Sequence, residues 1–170
     1  TYIFWAAYKN NLELIKYLVS KDAKTNLIDS HGYTVLNFAA SAGRTNIKMY
    51  DYLIKMTANI KTDKNHKGAN ALLLVAPYLE NDSLINYLLT QGASLNDKDT
   101  DGNGLFEYAT KGGNIPFLKT LIKRGIDTGE NAMIFASQGL RRKKNTLKTY
   151  KFLESIGIKP NVIDASDKNP

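Results

Sequence analysis

Pairs of small residues recur along the chain at near-constant intervals: Ala6-Ala7, Ala39-Ala40, Val75-Ala76, Ala109-Thr110 and Ala136-Ser137, stepped by 33, 36, 34 and 27 residues. A period of this length marks a repeat architecture, in which each unit buries its apolar face on its neighbours instead of in one common core. Every pair closes a short apolar segment: TYIFWAA, TVLNFAA, NALLLVA, GLFEYAT and NAMIFAS. A longer segment with helical periodicity follows each time. Leu12, Ile15, Leu18 and Val19 share one face, as do Leu84, Ile85, Leu88 and Leu89. Ile115, Leu118, Leu121 and Ile122 form another such face, and so do Leu147, Tyr150 and Leu153.

The punctuation agrees with paired helices. Gly92, Gly125 and Gly157 each stand where an outer helix should end in a left-handed residue. Thr1, Thr34, Asn70 and Asn131 occupy the position where a side-chain oxygen would cap an inner helix, with Gly104 in that slot of the fourth unit. The unit is therefore turn, short inner helix, tight link, longer outer helix and turn.

This pattern resembles the ankyrin repeat. The stretch Asp29-Ser-His-Gly-Tyr-Thr-Val-Leu-Asn-Phe-Ala-Ala follows the family's D-x-x-G-x-T-P-L-H-x-A-A opening at Asp29, Gly32, Thr34, Leu36, Ala39 and Ala40, with Phe38 in the apolar slot. The outer-helix ending L-L-x-x-G-A-x-x-N is present as Leu88-Leu89-Thr-Gln-Gly92-Ala93-Ser-Leu-Asn96. The resemblance implies an all-α ankyrin-repeat solenoid of about five helix-turn-helix units with short hairpin fingers, within a single domain over residues 1–170. The expected units are 1–28, 29–64, 65–98, 99–126 and 127–161, with a sixth begun near Asp164. Both ends stop inside a repeat, so further repeats of a longer array are expected at one or both ends.

Departures from the pattern are informative. The family's proline is replaced by Tyr2, Val35, Ala71, Leu105 and Ala132, and its histidine by Phe4, Asn37, Leu73, Glu107 and Ile134. Asp22 and Thr57 stand where the outer helices should end in glycine. Irregular, moderately stable repeats are expected, closer to divergent bacterial members than to consensus arrays. The fifth finger is cut to Asp127-Thr-Gly-Glu130, and Gly139–Thr146 is an insertion between the helices of that unit.

Composition narrows the function. Without cysteine there are no disulfides, thiolate catalysis or cysteine metal sites, and the compartment stays open. No apolar run approaches a membrane span. The net charge of +7 invites a nucleic-acid reading. Lysine, however, outnumbers arginine roughly five to one, and Lys16, Lys48, Lys55, Lys119 and Lys148 are scattered over different segments, which disfavours nucleic acid.

Asp97-x-Asp99-x-Asp101-Gly102 imitates a calcium loop, but its twelfth position is Tyr108 and Glu107 falls one short. In the repeat register, Asp99 and Gly102 are simply the finger's own Asp and Gly. His31 and His66 are the only histidines and sit in neighbouring fingers, about 10 Å apart by helix spacing, too far to share a metal. Glu107 has no second carboxylate or nucleophile at a catalytic spacing, so no enzyme, metal or cofactor is expected.

The resemblance implies that a partner protein is gripped on the concave wall of fingertips and inner helices. Carried over by position, that wall comprises Tyr8 and Lys9; Ser30, His31, Tyr33 and Ser41; His66, Lys67, Pro77 and Tyr78; Thr100, Asp101, Asn103 and Lys111; and Gln138. The insertion supplies a basic loop, Arg141, Arg142, Lys143 and Lys144, expected near the C-terminal end of the fifth inner helix. The expected function is a non-enzymatic protein-interaction module. The alternatives are a structural spacer in a longer ankyrin protein, or a basic surface for an acidic partner or polyanion.

Overall fold

The computed structural model describes residues 1–56 and 58–160; Thr57 and the expected start of a sixth unit near Asp164 lie outside the described residues. Short apolar segments and longer amphipathic ones fold as alternating helices, the all-α helix-pair arrangement expected from the sequence. The described residues carry ten α-helices, a 3₁₀ turn and two isolated β-bridges. They divide into two compact units.

The first unit spans Thr1–Val75 and Ser83–Ala93. It holds α1 (Tyr2–Tyr8), α2 (Leu12–Ser20), α3 (Val35–Ser41), α4 (Ile47–Met56), α5 (Ala71–Val75) and α6 (Ser83–Thr90). Inner helix α3 packs between α1 and α5. The small pairs explain how: Ala7, Ala39 and Ala40 are fully buried, and a residue without a long side chain lets neighbouring helices approach. Outer helices show one apolar stripe, with Ile15 of α2 and Met49, Tyr50 and Leu53 of α4 buried.

Ala76–Asp82 and the described residues from Ser94 to 160 form the second unit. It contains the 3₁₀ turn Ala76–Tyr78, α7 (Leu105–Thr110), α8 (Ile115–Lys123), α9 (Ala132–Gln138) and α10 (Leu147–Ser155). Inner helix α7 packs on α9 and on the 3₁₀ turn, while α8 and α10 pack on α7 and α9 respectively. Gly112, just past α7, lies so close to the Pro77 carbonyl that an added Cβ would collide with it.

The inner-helix caps expected from the sequence follow the local chemistry with two exceptions. Thr34 Oγ1 accepts from the Asn37 N–H and Asn70 Oδ1 from the Leu73 N–H, as expected of N-caps. Thr1 and Asn131 make no side-chain cap bond; the Asn131 amide donates to Asn103 Oδ1 at 2.8 Å instead. At Gly104 the missing side chain is replaced by Glu107, whose Oε2 accepts from the Gly104 N–H at 2.7 Å. Gly92, Gly125 and Gly157 end α6, α8 and α10 with φ between 73° and 99°, and Asp22 takes the same left-handed conformation after α2 at φ 62°. In all four, the next residue donates back to a carbonyl in the last turn, as in Ala23 to Leu18 and Ala93 to Leu88.

Three fingers share one construction. The backbones of Asp29, Asn65 and Asp99 each donate to the carbonyl four residues on, and accept from the glycine between. Their side-chain Oδ1 atoms also accept N–H bonds inside the turn, from His31 and Tyr33, Lys67 and Ala69, and Asp101 and Asn103. In the shortened fifth link, the Gly129 N–H reaches Asp127 Oδ1 at 3.1 Å.

Candidate interaction face

In the first unit, the expected face is built around an aromatic row. Tyr33 of the finger packs edge-on to Phe38 at 6.4 Å, and Phe38 lies 6.3 Å from Tyr8. Tyr8 in turn meets Trp5 edge-on at 5.6 Å. Two cations flank the Tyr8 ring: Lys9 Nζ at 5.8 Å and the Arg44 guanidinium at 5.1 Å. Ser41 is turned back onto its helix, its hydroxyl donating to the Phe38 carbonyl at 2.8 Å. Ser30 Oγ lies 3.4 Å from His31 Nδ1, and Lys67 is exposed.

The two histidines do meet, through backbone. The His66 N–H donates to the His31 carbonyl at 3.1 Å, and the His66 ring closes over Gly32, where a Cβ would collide with it. Gly32 itself needs φ 79°, so the contact and the turn both require glycine there. Among the described residues no cluster of three or more His, Cys, Asp or Glu could hold a metal. The calcium look-alike is consumed internally: Asp99 Oδ1 accepts the finger N–H groups, and Oδ2 accepts from the Tyr108 hydroxyl at 2.9 Å and the Asn103 amide at 3.1 Å.

In the second unit the expected residues separate. Tyr78 is half-buried, and Thr100, Asp101 and Gln138 are exposed. Lys111 lies over Phe135 at 4.5 Å and Tyr108 at 5.3 Å, the same cation-on-aromatic arrangement as around Tyr8. Two expected positions are corrected. Pro77 is buried because its carbonyl faces Gly112, and Asn103 is buried because its amide is spent on Asp99 and its carbonyl on Asn131. Neither side chain is open to a partner.

The basic loop is a hairpin closed by Leu140 and Lys143. Lys143 Nζ donates to the Gly112 carbonyl just past α7 at 2.8 Å, and Lys144 Nζ to the carbonyl of Gln138, the last residue of α9, at 3.3 Å. Arg141 and Arg142 remain exposed.

Where the fifth finger is cut short, an open hollow of about 700 Å³ is lined by Lys98, Glu107, Asp127, Gly129, Glu130 and Ile158, among others. Burial pushes the Glu107 carboxyl above its ordinary range, against the Gly104 N–H bond that pulls it down. The Gly129 N–H and the nearby Lys98 hold Asp127 below it. Glu107 is committed to its helix start through the Gly104 N–H.

Sequence reasoning passed over Trp5 and Phe38 as contact residues, and Arg44 entirely. The signal for the first two was available: the fifth position of each inner segment is Trp5, Phe38, Leu74, Tyr108 or Phe135, all large and apolar. A second, smaller hollow of about 350 Å³ opens beside them, between Phe4, Trp5, Ile28, Asp29 and Phe38.

A family model described as "Ankyrin repeats (3 copies)" matches residues 3–99. The chain is 29% identical over 106 residues to the Ankyrin repeat and SAM domain-containing protein 6 of Mus musculus, and equally to that of Rattus norvegicus; each match covers 62% of this chain and 12% of the relative. It is 24% identical over 127 residues to Palmitoyltransferase AKR1 of Lachancea kluyveri, covering 75% of this chain and 17% of that protein. The chain thus spans a small fraction of the length of these relatives.

Proposed function

Because the chain belongs to the ankyrin-repeat family, we propose that it is a non-enzymatic module that binds a partner protein on the face made by its fingers and inner helices. Repeats of this family are generally protein–protein interaction modules. The observation that carries the reading is the aromatic row of the first unit, in which Tyr33, Phe38, Tyr8 and Trp5 are flanked by Lys9 and Arg44. Rings with a polar tip or a stacked cation supply contact area at little entropic cost, as binding hot spots require. His31, His66, Lys67 and Ser30 extend this face along the fingers, with Ser41 behind them. In the second unit, Tyr78, Thr100, Asp101, Lys111 and Gln138 are the positions we assign to the same role.

We read residues 1–170 as one ankyrin-repeat domain. The partner is a protein, and no catalytic step is assigned to the chain; the enzymatic name of one relative belongs to a protein of which this chain matches 17%. No helix among the described residues is long and apolar enough to cross a membrane. The polyanion reading loses weight because Lys143 and Lys144 already donate to the Gly112 and Gln138 carbonyls.

Affinity capture from a lysate of the source organism tests the proposal. The parent chain is compared with Tyr33→Ala/Lys67→Ala and with Tyr78→Ala, each required to melt as the parent does. A protein retained by the parent and lost by a face variant supports the reading. Identical catches from all three would move the function away from this face.

A further inference from the structure

Three features of the first unit lie side by side. The first is the hollow of about 350 Å³, whose walls include Trp5 and Ile28, 63% and 66% exposed. The hollow is apolar apart from Thr1 and Asp29, and Asp29 is already occupied by the His31 and Tyr33 N–H groups. It has the size and lining to take an aliphatic or aromatic side chain. The second is Tyr8, one helical turn further along, in contact with both Trp5 and Phe38. The third is the guanidinium of Arg44, stacked on Tyr8, whose Nε–H is buried with no hydrogen-bond partner.

That orphaned donor is unusual. A buried guanidinium nitrogen left unpaired costs free energy; because Nε is closed off from solvent, an acidic partner meets the outer nitrogens of the group, and a carboxylate is the acceptor that its planar fork fits best. The arginine is also held in place from behind, since the Tyr50 hydroxyl donates to the Arg44 carbonyl at 2.8 Å. Lys9 adds a second positive charge on the same ring at 5.8 Å. The chain as a whole carries a net charge of +7, which favours the approach of an acidic segment.

Resting on the interaction reading above, we propose that this face recognises a partner segment with an apolar anchor residue and an acidic residue a few positions away. The anchor fills the hollow between Trp5, Ile28 and Phe38, and the acid pairs with Arg44 and Lys9. The spacing follows from the geometry. Phe38 lies 6.3 Å from Tyr8, and Arg44 5.1 Å from Tyr8. The two together bound the separation from above, and an extended segment at about 3.3 Å per residue covers that bound in roughly three residues.

The test uses a phage-displayed library of random 12-residue peptides selected on the immobilised chain. Enriched sequences should pair an apolar residue with Asp or Glu two to four positions away. A synthetic peptide of an enriched sequence should shift the emission of Trp5, the single tryptophan of the chain, to the blue. Its affinity should fall roughly tenfold or more in Trp5→Ala, in Arg44→Gln and on changing the peptide's acid to its amide. Arg44→Lys, which keeps the charge but loses the planar fork, should recover only part of the binding, and an unchanged melting temperature of each variant controls for folding. Enriched peptides without an acid, or binding indifferent to Trp5→Ala, overturn the inference. So does a blue-shifted Trp5 in the free chain that reddens on dilution, which would make a second copy the occupant. If peptides lose binding in Tyr33→Ala/Lys67→Ala but not in the Trp5 and Arg44 variants, the face stands and the stated partner chemistry falls. Enriched peptides that depend on none of these residues remove both.

Discussion

Asp99 shows how much one side chain can settle. Its two oxygens accept from the Asp101 and Asn103 N–H groups, the Asn103 amide and the Tyr108 hydroxyl, so the finger is folded around the carboxylate. A calcium ion would have to displace those donors and would find no bidentate glutamate in return. Calorimetric titration with calcium should therefore give no saturable heat in the micromolar range. Asp99→Ala should lower unfolding stability by about 1–3 kcal/mol, because several finger donors lose their acceptor; an unchanged denaturation midpoint would mean that the turn holds itself. This role was legible in the sequence, since every donor but Tyr108 lies within the finger itself. The burial of Pro77 and Asn103 was not. It depends on Gly112 and Asn131, which no local pattern connects to them.

At the scale of the helices, the spacing of small residues carries the design. Ala39 is fully buried on α3, which packs between α1 and α5. Ala39→Leu should overpack that stack and cost about 1–3 kcal/mol in chemical denaturation; no loss would place α3 in a different register. The insertion after α9 is the element whose purpose the sequence concealed. Its four cations drew attention as a binding loop, yet the residue that organises it is Asn145. The Asn145 amide donates to the Thr110 and Ala136 carbonyls, both at 2.8 Å, tying the C-terminal ends of α7 and α9 together. Asn145→Ala should cost about 1–3 kcal/mol by orphaning those carbonyls, and Asn145→Asp should fail to rescue it because a carboxylate has no N–H to give. A thermal melt of the two variants beside the parent reads this directly. The helices themselves were legible because their apolar periodicity is local. Asn145 was not, because its acceptors become neighbours only once α7 and α9 have packed.

For the molecule as a whole, the pH dependence of stability sums over groups that pull in opposite directions. Asp127, held down chiefly by the Gly129 N–H, and Asp51, held down chiefly by Lys55, add stability that is present at neutral pH and lost as pH falls through their lowered range. Both are exposed, so solvent screens their contributions. Glu107 has the reverse sign. Burial raises its carboxyl, and the charge of Asp127 adds to the rise. The folded chain therefore holds that proton more tightly than the unfolded one, and the associated stability is lost as pH climbs from the ordinary glutamate range through the raised value. Glu107→Gln isolates this contribution, because the amide oxygen can still accept from the Gly104 N–H while the ionisation is gone. Unfolding free energies of parent and variant, measured by urea denaturation across acid to neutral pH, should run close together at the acid end. They should separate above it, with the variant gaining relative to the parent as pH rises. Asp51, which has no link to Glu107, contributes alike to both curves and drops out of the difference, whereas Asp127 is coupled to Glu107 by charge and its part in the difference is that coupling. Parallel curves at every pH would mean that water reaches Glu107 through the hollow beside it and leaves its carboxylate as well solvated as in the unfolded chain.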